Sequence, residues 1–152
     1  MKRILLVLSS AAFAVSCAAA PRAPVPLPEI VGAPAPDLEG QAQGRDAMLS
    51  NVEEGALLKR AQAGDADAAF RLSIHYDATG ADARAQRWRA TAARLGHPIA
   101  LYNAWYEQRL RTECVPMREA LQWLEKSAAR GHAAAREVLE PYRRSVTGCV
   151  AD

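Results

Sequence analysis

Three glycines, each followed four residues later by alanine, set the rhythm of this chain: Gly64 with Ala68, Gly96 with Ala100, and Gly131 with Ala135. The stretch before the last two glycines repeats as well. Ala85, Trp88, Gly96 and His97 recur 35 residues on as Ala120, Trp123, Gly131 and His132. A period of 32 to 35 residues accommodates two helices and a turn, a unit that cannot bury its own apolar face. The physical reading is a stack of such units, each covering the face left open by its neighbour.

Helix signals agree with that period. A leading helix is expected over about residues 46–63, with Leu57, Leu58 and Ala61 on one face. Two pairs follow, over 66–78 and 82–95, then 98–111 and 116–130, and a last helix over 132–141. Glycine tolerates the left-handed conformation that caps a helix, so Gly64, Gly96 and Gly131 read as helix ends, and Gly80 breaks the first pair. Pro116 suits a first helical turn, where its missing N–H would be unpaired anyway. The fold class predicted is all-α, a short α/α solenoid of antiparallel helix pairs. Small side chains at the repeated alanines let helices approach, and Trp88 and Trp123 are expected to fill the core between units. Trp105, Tyr102 and Tyr106 fall off the strict repeat pattern and are expected on the surface.

These residues resemble the Sel-one-like repeat, a member of the tetratricopeptide-like superfamily, whose pattern is A-x-x-W, an Ala-Ala pair, then G-H-x-x-A-x-x-x-L. The second helices read AQRWRATAARLGH from Ala85 and ALQWLEKSAARGH from Ala120. Among first helices, Gly64, Ala68, Leu72 and Tyr76 match fully and Gly131, Ala135 and Leu139 partly, whereas Ala104 replaces the leucine expected after Gly96. The resemblance spans about residues 55–143 and implies the superfamily's superhelix and a scaffolding or adaptor role, without naming a partner. Cysteine-rich secreted relatives are described as binding or slowly hydrolysing β-lactams, which makes a cell-wall ligand or weak hydrolysis the alternative. This chain lacks their cysteine pair within each repeat.

The first sixteen residues are laid out as a secretory signal: Lys2 and Arg3, an apolar run from Ile4 to Leu8, then small residues up to Ser16. The tetrapeptide Ala14-Val15-Ser16-Cys17 resembles a bacterial lipobox, with Ala14 where leucine is usual. Lipidation of Cys17 is the reading preferred here, with ordinary signal cleavage, for instance after Ala14, as the alternative. Ala18 is compatible with sorting to an outer membrane, placing the protein in the periplasm. Six prolines between Pro21 and Pro36 deny residues 17–44 a regular hydrogen-bonded element. At about 3.1 Å per residue, the proline-rich stretch from Pro21 to Pro36 reaches roughly 50 Å. A linker with no length requirement has the same composition. The helical domain is placed at 45–143, with a tail over 144–152.

With Cys17 assigned to lipid, Cys114 and Cys149 remain as an even pair in an oxidising compartment. A helix from near Pro116, a turn at Gly131 and a returning helix bring the tail back beside Cys114, so these two are expected to form a disulfide. Two free buried thiols are the alternative.

Lys2 and Arg3 leave with the signal and account for the whole net charge of +2. The mature chain has no basic stripe of the kind that binds nucleic acid. Neither HxxxH nor CxxC occurs, so no metal is expected. No G-x-S-x-G, S-x-x-K or phosphate-binding glycine loop is present either, and no cofactor or enzymatic activity is predicted. The function expected is non-catalytic binding of a protein or peptide in the bacterial cell envelope, with an N-terminal lipid holding the chain at the membrane. Arg71, His75, Asn103 and Glu107, on the first helices of the two units, are the candidate contact residues.

Overall fold

Helix α1 (Asn51–Gln62) begins where Ser50 and Glu53 cap each other: the Ser50 side chain accepts from the Glu53 N–H, and the Glu53 carboxylate accepts from the Ser50 N–H. This exchange sets the start at residue 51 rather than 46. The computed structural model describes residues 47–147, and within them the chain is all helical, continuing as α2 (Ala66–Ala78), α3 (Asp82–Leu95), α4 (Pro98–Gln108), α5 (Cys114–Ala129) and α6 (Ala133–Thr147). The expected signal segment, Cys17, the proline-rich stretch and Cys149 lie outside the described residues.

Each helix packs on the next in the chain, most extensively α2 on α3, then α4 on α5 and α5 on α6. The result is a short α/α solenoid of helix pairs, as the repeat period requires. Two apolar cores result. One gathers Leu57, Phe70, Leu72, Tyr76, Ala85 and Ala92 from α1–α3, with Ala100 of α4. The other gathers Tyr102, Trp105, Met117, Leu124, Val138 and Tyr142 from α4–α6.

The junctions between units are built alike. Gly96 has φ +93 and closes α3, its N–H bonded to the Ala93 carbonyl while the His97 N–H reaches the Ala92 carbonyl. Gly131, with φ +94, closes α5 through Ala128 and Ser127 in the same way. The residue after each glycine then caps the next helix with its side chain. The Asp65 carboxylate accepts from the Ala68 N–H, and Nδ1 of His97 and of His132 accept from the Ala100 and Ala135 N–H groups. The glycine, the cap and the fully buried alanine three residues later therefore form one device repeated down the stack.

The tryptophans are distributed differently from the expectation. Trp88 and Trp123 are half-buried at the margins of the two cores, whereas Trp105 is 0% exposed and Tyr102 equally buried. Tyr106 is half-buried, packed against the second core. At the position of Leu72 and Leu139 in the other first helices this helix carries Ala104, which offers only a methyl group. The large side chain of the interior is supplied by the next residue, Trp105, 5.1 Å from the Tyr102 ring and edge-on to Tyr142 at 5.5 Å. Replacing a buried tryptophan by alanine typically costs about 3–5 kcal/mol, so much of the second core rests on this residue.

Helix α6 also runs further than expected, past Pro141 to Thr147. An interior proline costs a helix about 3 kcal/mol. Here Ala135, Val138, Tyr142 and Val146 are buried along one stripe that continues beyond the proline, and their packing holds the last turn.

Gly96→Ala should lower stability by about 1–2 kcal/mol, because alanine resists the left-handed backbone. Gly55→Ala, inside α1 with open space around the new Cβ, should raise it by about 0.5–1 kcal/mol. Urea titrations of the two variants give both signs.

Candidate functional site

Between α3, α4 and α5 lies a cavity of about 680 Å³, within the range of ligand pockets, roughly 300–1,000 Å³. Helical spacing directs its lining. On α3, Gln86, Arg89, Ala93 and Arg94 share one face; on α5, Trp123 and Lys126 do the same, with Arg130 at the helix's C-cap. The α4 side is a floor of Ala100 and Ala104, with Glu107 one turn further along. Ala104 is consequential again: a leucine here, as at the two equivalent positions, would project into this space.

The charges lining the cavity are unbalanced, with four cations, Arg89, Arg94, Lys126 and Arg130, against one carboxylate, Glu107. Arg89 is paired with Asp77 at 3.3 Å, and Arg94 donates to the Thr91 hydroxyl at 3.1 Å. Among the described residues, no carboxylate lies within ion-pair distance of Arg94, Lys126 or Arg130. The Arg130 guanidinium lies across Gly96, so close that a Cβ there would stand 2.5 Å from it. Glycine at this junction thus serves the turn and makes room for a cation at the cavity edge.

The four residues singled out from the sequence do not form one surface. Arg71 is exposed on α2 and Glu107 is exposed and lines the cavity. The expectation that His75 and Asn103 are exposed is corrected: they are 8% and 5% exposed. His75 accepts the Leu49 N–H at Nδ1, pinning the segment that leads into α1. The physical reason is that α2 is covered around most of its circumference, with Ala69, Phe70, Leu72, Ser73, His75 and Tyr76 all buried, so a polar residue type does not mark the outer face. The cations on α3 and α5 were missed because they are not repeated between units. The legible signal was the break in the repeat at Ala104.

His97 and His132 are structural, as their capping bonds show. The His97 ring stacks on Phe70 at 4.0 Å, and His132 stacks on Tyr102 at 4.6 Å. With Nδ1 accepting, the proton of neutral His97 sits on Nε2, facing the Asp67 carboxylate at 3.6 Å, too long for a strong hydrogen bond. Burial holds the His97 pKa below the ordinary histidine value, Asp67 pulling it up and His132 adding to the depression. Among the described residues, no group of three or more His, Cys, Asp or Glu side chains is placed to hold a metal ion. No helix among them is long and apolar enough to cross a membrane. Cys114 is disulfide-bonded, its partner lying outside the described residues.

Comparison with protein-family models, with curated proteins and with solved structures finds no match to this chain.

Because the folded state favours neutral His97, the unfolded chain binds the proton more readily below about pH 6.5. The cap's contribution is complete above that value and is lost as pH falls toward the depressed folded pKa. Urea midpoints measured between about pH 7.5 and 5 should therefore decline on acidification. His97→Asn, a capping residue that does not titrate, should decline less steeply.

Proposed function

We propose that this chain is a Sel-one-like repeat protein serving as a non-catalytic adaptor in the bacterial cell envelope, held by a lipid at Cys17 and capturing a protein or peptide partner. The observation that carries the reading is the open cavity between α3, α4 and α5, with cations that no described carboxylate pairs. Its described lining combines alanines, amides, charged side chains and a tryptophan, a mixture suited to holding a polar chain against an apolar floor. The repeated glycine, cap and alanine junction supports the family reading, because it gives a physical role to the residues that carry the resemblance. The disulfide at Cys114 favours an oxidising compartment.

Cross-linking and co-purification of the full chain from native membranes, compared with Cys17→Ala, tests the proposal. A stoichiometric envelope partner that disappears with the anchor is expected; no enrichment over the variant would count against it.

The disulfide partner proposed is Cys149. Peptide mapping without reduction should recover Cys114 joined to Cys149, and Cys114→Ser should cost about 2–4 kcal/mol in stability. Recovery of alkylated Cys149 from the untreated protein would refute the pairing.

A further inference from the structure

We propose that the cavity between α3, α4 and α5 recognises an extended acidic peptide segment, carboxylates meeting the cations of both walls and an apolar side chain resting against Trp123. This rests on the adaptor reading and specifies its ligand.

Three observations converge. The first is the charge at the cavity: Arg94, Lys126 and Arg130 have no ion-pair partner among the described residues and face a single lining carboxylate, Glu107. From Cys17 onward the chain's basic and acidic residues balance, so this concentration is local. The second is the arrangement. Arg94 stands on the α3 wall and Lys126 and Arg130 on the α5 wall, with the alanine floor of α4 between them. Cations on separate walls suit a ligand whose negative charges are spaced along a chain, with apolar groups between, better than one compact anion. The third is the origin of the space. At the position of Leu72 and Leu139 the chain carries Ala104, half-buried and lining the cavity. The opening is a departure from the repeat, while the buried alanines that hold the units together are kept.

Arg94 and Lys126 also sit in the last turns of their helices, where a cation complements the negative end of the macrodipole. That role alone predicts no peptide affinity, which gives the test its contrast.

The probe is a short fluorescein-labelled peptide in which glutamate alternates with alanine and leucine, beside a counterpart carrying lysine for each glutamate. Fluorescence anisotropy with the intact chain should show saturable binding of the acidic peptide only, weakening as ionic strength rises from about 50 to about 300 mM. Lys126→Ala combined with Arg130→Ala should weaken binding about tenfold. Glu107→Gln should tighten it about two- to threefold, a gain that misfolding cannot produce. Ala104→Leu, which restores the repeat residue, should abolish binding while leaving the urea midpoint unchanged or higher.

Equal binding of the lysine peptide, or undiminished binding to folded Ala104→Leu, would overturn the proposal. Loss of helix stability without loss of binding in the double variant would do the same, assigning the cations to the helix dipoles alone. Concentration-dependent self-association that Ala104→Leu removes would assign the cavity to a second copy of the chain and also overturn it. If a co-purified envelope partner is still captured by Ala104→Leu, the adaptor reading stands and the cavity proposal falls.

Discussion

The stack depends on a single local contact, the hydrogen bond from the N–H of an alanine to the side chain of the residue that caps its helix. A helix N-terminus leaves backbone donors unpaired, and burying them without acceptors costs on the order of a hydrogen bond each. At each junction the chain leaves one helix through a left-handed glycine, and the following Asp65, His97 or His132 supplies the acceptor. The donor belongs to Ala68, Ala100 or Ala135, each essentially without exposure. The repeated spacing of glycine and alanine is thus the spacing of one capped turn. A larger side chain at the alanine would push the neighbouring helix away; a glycine without a capping residue would leave the N–H groups stranded.

Imidazole adds something that the aspartate in the first unit does not. His97 and His132 are flat as well as accepting, so each ring both caps its own helix and stacks on an aromatic residue of the preceding first helix, Phe70 or Tyr102. Helix α2 is tied to α4 and α4 to the start of α6 by the same pair of functions. The two apolar cores can therefore remain separate, each built by adjacent helices, while the junctions hold them in register. This arrangement uses histidine as an acceptor and a stacking surface, and its neutral form is the one required.

This logic explains what was legible in the sequence. The existence, number and type of helices followed from the period, and α2 and α3 were bounded correctly by Gly64, Gly80 and Gly96, because glycine and the cap that follows it are local signals. Boundaries set by other forces were not. Helix α6 crosses Pro141 because Tyr142 and Val146 are buried beyond it, a tertiary effect that overrides a local prohibition. Likewise Trp105, His75 and Asn103 are covered because α2 and α4 have neighbours on more than one side. Residue type marks polarity, whereas burial depends on how many helices converge on a face. A reading that places candidate contact residues by chemistry alone goes wrong in the middle of a stack, where first helices are enclosed.

The same consideration locates the most informative residue for function. Repeat consensus encodes packing, so positions that obey it are occupied by the fold and are not free to choose a ligand. In this chain Leu72 obeys it and is fully buried, while Ala104 breaks it and lines an opening. Beside the break Trp105 fills the interior against Tyr102 and Tyr142, while Ala104 borders the open space. Around that space the non-repeated residues Arg94, Lys126 and Arg130 bring positive charge against a single lining carboxylate, Glu107. In this solenoid the break at Ala104 is therefore the place to look for a functional surface, since there a small side chain leaves space beside cations that the repeat itself does not require.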